Sequence, residues 1–376
     1  MKAKKNPFIL KGYISPELFC DRKDETEKII SNAKNDTNTT LLSLRRMGKT
    51  GLIHNVFYKI KKEKNWECIY IDVYATQNIS EFTNQLASSV FKVFPENRSI
   101  GNKFMKMIKG FSPVIKFDTL TASPEISFNY SDPKQYEISL RNIFDFLDTQ
   151  KKSILIAFDE FQQVALYPEK NTEALLRTII QTLKNTHFIF SGSNKHLLTE
   201  IFNSAKRPFF SSTSSIFLNT ISEKEYSRFI VRLFKRENKE IDEESINFIL
   251  KWSRTHTYYT QAILNKVYLQ NKSNVGIKDV YHACDTILKE QENIYYQYRN
   301  LLTSSQWKLL TAIAKEDKVY QPTGIKFTSK YMLGNSASVR RSLMSLENKE
   351  MLVKIINKEN HYYQVYDCFL SRWLQR

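Results

Sequence analysis

Residues 43 to 51 read SLRRMGKTG, and the Gly48-Lys49-Thr50 triplet within them has the chemistry of a phosphate cradle. A helix starting at that point turns backbone N–H groups toward an anion, Lys49 adds positive charge, and the Thr50 hydroxyl can face a magnesium ion. The fuller pattern opens with a glycine where this chain has Ser43. Glycine there permits a backbone conformation that other residues enter at a cost of about 1 kcal/mol or more. The loop can carry that cost, whereas Gly48 stands where the backbone must approach the phosphates closely. Ser43 therefore reads as a variant of a working loop, which Met47 and Gly51 complete. Arg45 and Arg46 lie inside it, open to contact with phosphate, adenine or a partner, or simply to solvent.

A cradle does chemistry only beside a metal-holding carboxylate and a group that orients the attacking water. The apolar run SILIAF, residues 153 to 158, ends in Asp159-Glu160. Asp159 is placed to hold magnesium through water, together with Thr50, and Glu160 to polarise the nucleophile. Asn194 ends the neighbouring run HFIFSGS, and Arg207 stands in the next loop. Arg207 is open to two readings, a sensor of the terminal phosphate or a surface arginine before a turn. His187, His196 and His256 have no ligand spacing with the cysteines, and Ser191-Gly192-Ser193 lacks the second glycine of a nucleophile elbow.

The elements needed to position these residues are legible around them. NTTLLSL, residues 38 to 44, reads as a strand, and the stripe Leu52, Ile53, Val56, Phe57, Ile60 as a helix after the loop. CIYIDVY (68 to 74), SILIAF, HFIFSGS (187 to 193) and SIFLNTIS (215 to 222) read as further strands. Helical periodicity covers residues 79 to 94, 137 to 150 and 174 to 185. Strands alternating with helices predict a doubly wound parallel α/β sheet, with its ligand at the ends of the strands. Between about 98 and 135 the alternation breaks, and VIKFDTLTASPEISFNY predicts a β-hairpin inserted after a basic stretch. This core is expected to span residues 1–222.

From 223 to 302 only helical patterns occur, which predicts an all-helical lid. Residues 303–376 read helix, helix, helix, hairpin, the order of a winged helix. In SASVRRSLMSLENKE, Ser336 is the expected N-cap, Val339, Leu343 and Leu346 the buried stripe, and Arg340, Arg341 and Lys349 the exposed basic side. Those three are candidates for nucleic-acid contact, with Lys358 and His361 of the hairpin touching the backbone. Winged helices also serve as protein contacts, and both readings stand at this point.

Length and composition agree with several globular domains. The chain has 376 residues, 41% of them hydrophobic and 13% aromatic, enough for sizeable cores. The scattered Cys20, Cys68, Cys284 and Cys368 suit a reducing cytoplasm rather than a disulfide framework or zinc site. The apolar run PFIL is too short for a signal-peptide core, and no stretch suggests a membrane span. A soluble cytoplasmic protein is expected. The net charge of +17 fits polyanionic partners such as DNA, or a lysine-rich proteome.

Four stretches carry a more specific signal: LFCDRKDETEKI, LRRMGKT, ILIAFDEFQQV, and FIFSGSNKHLLTEIF followed by RPFF. Together they resemble the archaeal-type ATPase family, a branch of the P-loop NTPases near the AAA+ and STAND groups, over residues 13 to 270. The resemblance implies an AAA+-like core binding ATP and Mg2+, a helical lid, and an adenine pocket involving Phe19, Asp21 and Arg22. Three positions depart from the family pattern: Ser43 replaces Gly or Pro, Gly51 stands where Ser is common, and Thr257 where lid motifs often carry Pro. The order of core, lid and winged helix also resembles the archaeal replication initiators. The expectation is an ATP-dependent switch that binds DNA. Its rival is a non-catalytic, STAND-like switch whose winged helix contacts protein, with a protein partner or homo-oligomer as company.

Overall fold

The computed structural model describes residues 6–95, 99–119, 124–130, 132–356 and 360–376. The described residues form two compact units, one of Lys11–Thr220 and one of Ile221–Arg376 together with residues 6–10.

In chain order the first unit contains α1 (Lys23–Lys34), β1 (Thr39–Leu42), α2 (Lys49–Ile60), β2 (Trp66–Asp72), α3 (Ile79–Val93) and α4 (Ser99–Lys109). It continues through β3 (Val114–Phe117), β4 (Pro124–Ser127), α5 (Pro133–Asp148), β5 (Ser153–Asp159), α6 (Thr172–Thr182), β6 (Thr186–Gly192), α7 (Lys195–Asn203) and β7 (Ser214–Phe217). Five strands form one sheet in the order β2-β5-β6-β1-β7, and every pairing in it is parallel. This is the doubly wound sheet that the alternation predicts. β3 and β4 pair antiparallel as a separate hairpin. The basic stretch before them folds as α4, because Phe104, Met105 and Ile108 fall on one stripe and are buried.

Each face of the sheet has its own core, and the two-residue period of the strands sorts side chains between them. Leu41, Cys68, Leu155, Ala157, Ile189 and Ile216 pack under α1 and α2. The intervening positions, among them Ile69, Ile71, Ile156, Phe158, Phe188 and Phe190, face the larger, aromatic-rich core on the other side. Continuing the alternation, Tyr70, Asp159 and Ser191 fall on the α2 side at the carboxyl ends of their strands. That phase brings three polar groups to the start of α2.

The second unit holds α8 (Glu223–Arg236), β8 (Glu240–Ile241), α9 (Glu243–Trp252), α10 (Thr257–Leu269), β9 (Asn274–Val275) and α11 (Ile277–Asn300). Phe8 is fully buried in it, its ring against Phe234 and Tyr268. There follow α12 (Ser304–Glu316), α13 (Ile325–Lys330), α14 (Ser336–Asn348), β10 (Leu352–Ile356), β11 (His361–Val365) and α15 (Cys368–Leu374). β10 and β11 form the antiparallel wing, and Val319 makes an isolated antiparallel bridge to Tyr363 beside it. Arg254 ties α9 to this part through Asp317 at 2.6 Å, the Val365 carbonyl at 2.8 Å and Ser371 at 2.7 Å. The cap of α14 is Asn335 rather than Ser336: the Asn335 carboxamide accepts the Ser338 N–H at 2.8 Å, and Ser336 is the first helical residue. Among the described residues no helix is long and apolar enough to cross a membrane.

Candidate nucleotide site and basic helix

The loop between β1 and α2 puts its left-handed residues at Arg46, φ 60°, and Gly48, φ 93°. Ser43 is not among the positive-φ residues, so the strain expected there falls on Arg46 instead. Gly48 is the residue from which α2 starts, and glycine enters that conformation without steric cost. Ser43 is buried; its hydroxyl donates to the Leu44 carbonyl at 2.8 Å and accepts from the Lys49 ammonium at 3.4 Å. Met47 and Lys49 are buried, and Arg45 and Arg46 are exposed. Burial holds the Lys49 ammonium below its usual pKa, opposed by the charges of Glu160 and Asp159 and reinforced by Arg45. An anion in the loop would restore what the ammonium loses by desolvation.

Asp159 lies at the end of β5 with donors on both carboxylate oxygens. Thr50 donates to Oδ2 at 2.9 Å and Tyr70 donates to the same oxygen at 2.6 Å. Oδ1 accepts from the Ser191 hydroxyl and from the Glu160 N–H. The Thr50 hydroxyl and the Asp159 carboxylate are hard oxygen ligands held side by side, the donor chemistry that magnesium takes.

Glu160 has φ 57°, an unfavourable backbone for glutamate that aims its side chain across to the end of β6. Its Oε2 accepts from the Ser193 N–H at 3.0 Å, the Ser193 hydroxyl at 2.7 Å and Gln162 Nε2 at 2.6 Å. Gln162 crosses β6 so closely that a Cβ at Gly192 would lie 1.9 Å from its Oε1. A larger residue there would have to push the end of the Gln162 side chain aside.

Lys49, Thr50, Asp159 and Glu160 are thus brought together, with Ser43 beneath the lysine. Gly51 sits under Phe19, whose Cε2 would be 3.2 Å from a Cβ at that position. Arg22 is buried in a left-handed turn and donates to Glu25 at 2.9 Å and to the Asn219 carbonyl at 2.6 Å. Asp21, also left-handed, is exposed. Asn194 caps α7, accepting the Leu197 N–H at 3.0 Å. Arg207 pairs with Glu173 at 2.7 Å and lies 3.8 Å from Glu200. Burial raises the Glu173 carboxyl above its ordinary range, and Arg207 counters it.

Sequence reasoning did not single out Tyr70, Ser191, Gln162 or His54 as site residues. His54 lies one turn after Thr50, its ring 4.9 Å from that of Tyr70 and 6.3 Å from that of Tyr13. Burial lowers its pKa, against the pull of Asp159. The available signal was strand phase: Tyr70 and Ser191 share a face with Asp159.

On α14, Val339, Leu343 and Leu346 are buried, as their spacing predicts, and Arg340 and Arg341 are exposed. The Lys349 ammonium donates to the Leu301 carbonyl at 3.0 Å. His361 is exposed at the start of β11, and Lys358 lies outside the described residues.

Comparison with known proteins identifies the fold. Residues 293–376 match the family model described as "Probable winged helix domain". Among curated proteins none matches the sequence. The Walker-type ATPase paby2304 of Pyrococcus abyssi is similar in structure, with TM-score 0.68 at 18% identity over 98% of this chain and 100% of that one. The Aeropyrum pernix ORC2 protein follows the same path with TM-score 0.58 at 12% identity, over 99% of this chain and 98% of its own. The Aeropyrum pernix ORC1 protein, solved in complex with DNA, gives TM-score 0.51 at 12% identity over 96% and 93%. At these identities the likeness is one of fold: a parallel sheet flanked by helices, as in the Walker-type ATPase and ORC2 structures, with a winged helix at the C-terminal end.

Proposed function

We propose that the chain binds ATP with magnesium in the loop before α2, hydrolyses it, and uses its nucleotide state as a switch on DNA binding through the winged helix. The observation that carries the reading is the junction of Thr50 with Asp159 at 2.9 Å, directly after an intact Gly48-Lys49. Lys49 and the backbone N–H groups at the start of α2 bind the β- and γ-phosphates, which supply the counter-charge for the buried ammonium. Thr50 and Asp159 hold magnesium, which when bound neutralises charge on the phosphate oxygens. Glu160 takes the proton of the attacking water. In the arrangement described, its Oε2 is held by Ser193 and Gln162, so the base is parked, and turnover requires its release.

DNA binding is supported by the exposed Arg340 and Arg341 on the helix after the turn, and by the charge of +17. One observation favours a second reading, a non-catalytic STAND-like switch with protein contacts: Ile325, Met332 and Met344 of the winged helix are 84%, 79% and 58% exposed.

The experiment is a titration with fluorescent ATP and magnesium beside Lys49→Ala and Glu160→Gln, followed by DNA binding across a salt series. Saturable binding lost in Lys49→Ala, and binding without turnover in Glu160→Gln, are expected. Affinity for DNA should fall steeply with salt and be abolished by Arg340→Glu with Arg341→Glu. Equal binding by Lys49→Ala would overturn the nucleotide reading, and no DNA retention at low salt would leave the protein-contact reading.

A further inference from the structure

We infer that the Tyr70 hydroxyl is the exchangeable donor that occupies Asp159 until metal arrives, making Tyr70 a positioning residue that sets how much magnesium the site requires. The inference rests on the proposed nucleotide site and concerns one carboxylate. An ionised carboxylate offers about four lone-pair positions, two on each oxygen. At Asp159 all are taken, Oδ2 by Thr50 at 2.9 Å and Tyr70 at 2.6 Å, and Oδ1 by the Ser191 hydroxyl and the Glu160 N–H. To accept a metal ion or a water bound to it, the carboxylate must lose one of these donors.

The donors differ in how readily they can leave. The Glu160 N–H belongs to the backbone of the adjacent residue and is fixed by the same left-handed turn that aims Glu160. Ser191 is fully buried within β6, the strand next to β5. Thr50 is the first-turn hydroxyl that itself faces the metal, so its place is part of the site. Tyr70 differs from all three. It stands on β2, the edge strand of the sheet, is only partly buried, and packs beside His54, with ring centres 4.9 Å apart. Rotation of its side chain releases Asp159 without disturbing the strands.

Competition of this kind has a signature that general damage to the site lacks. Tyr70→Phe keeps the ring and its packing on His54 and removes only the hydroxyl. Nucleotide affinity in EDTA should match wild type. The magnesium concentration that half-saturates the gain in nucleotide affinity should fall roughly tenfold, the scale of one hydrogen bond to a charged group. Manganese EPR at saturating ADP should report the same shift as direct metal affinity, independent of turnover. A Tyr70→Phe protein with an unchanged or higher metal requirement overturns the inference, because the hydroxyl would then be neutral or supportive. Equal weakening with and without metal also overturns it, as a merely structural role. Failure of wild type to bind nucleotide under either condition is a different result: it removes the nucleotide reading, and this inference with it.

Discussion

Restoring the glycine that the loop pattern calls for, Ser43→Gly, should weaken the nucleotide-free protein rather than repair it. The pattern treats position 43 as a site that needs glycine's freedom, yet Ser43 is outside the positive-φ set and the loop's left-handed residues are Arg46 and Gly48. Glycine therefore relieves no strain. It adds backbone entropy to the unfolded chain, worth about 0.5–1 kcal/mol. It also removes the buried hydroxyl that donates to Leu44 at 2.8 Å and meets Lys49 at 3.4 Å. The shorter bond is worth about 1 kcal/mol net, and the longer one little. The sum is a loss of about 1–2 kcal/mol, or about 2–8 °C in Tm for a unit of this size. Nucleotide should leave most of that difference in place, because phosphate replaces Ser43 only at the Lys49 ammonium, the contact worth little. Differential scanning calorimetry with and without ATP reads both effects. A Ser43→Gly protein at least as stable as wild type without nucleotide would refute the argument and show that serine strains the loop.

Two further perturbations test neighbouring contacts. Ser193→Ala removes one of the donors on Glu160 Oε2, the hydroxyl at 2.7 Å, so a parked base should be released more often; turnover is expected to rise by about 2- to 10-fold at unchanged nucleotide affinity. Slower hydrolysis would mean that Ser193 aligns Glu160 instead of restraining it. Arg207→Ala leaves Glu173 buried without its partner at 2.7 Å, and should cost about 1–3 kcal/mol at neutral pH, discounted because the arginine is partly exposed. Burial already raises Glu173 in the folded state and loss of the arginine raises it further. The folded state then binds the proton more tightly than the unfolded one, so the penalty is full above the folded-state pKa and shrinks as pH falls through it. Urea denaturation from pH 7 down to pH 4 should show this convergence, and adding Glu173→Gln should remove it. A pH-independent loss would assign Arg207's effect to packing.

The parts of the site that the sequence made legible are those whose chemistry is local. Gly48, Lys49 and Thr50 are consecutive, and the element that presents them begins at the same residues, so spacing alone ties loop to helix. Asp159-Glu160 was equally visible, because a run as apolar as SILIAF can end in two carboxylates only where the sheet meets solvent or a ligand. The winged helix followed from element order, and the stripe Val339, Leu343, Leu346 from period. Arg22 and Arg207 mark where this kind of reading stops. Arg22 enters through the family resemblance, as part of an adenine pocket, and Arg207 because an arginine suits a terminal phosphate, but neither ground says which carboxylates lie near the side chain. Folding brings Glu25 to one and Glu173 to the other.

The partnership of Tyr70 and Ser191 with Asp159 is hidden in the sequence for a different reason. A hydroxyl inside an apolar strand has no motif, and these two reach Asp159 across sequence separations of 89 and 32 residues. Each nevertheless obeys the alternation that was used to find the strands. Asp159 is two residues from Ala157 and Ser191 two from Ile189, both on the face under α2; Tyr70 is two from Cys68 on the same face. Phase assigned from the apolar residues therefore fixes the face of the polar ones. What phase could not supply is strand order. β5 lies between β2 and β6, so both hydroxyls come from immediate neighbours of the strand that ends in Asp159. The donor set on Asp159 is thus a consequence of topology, and residues that look like ordinary strand positions become its partners through it.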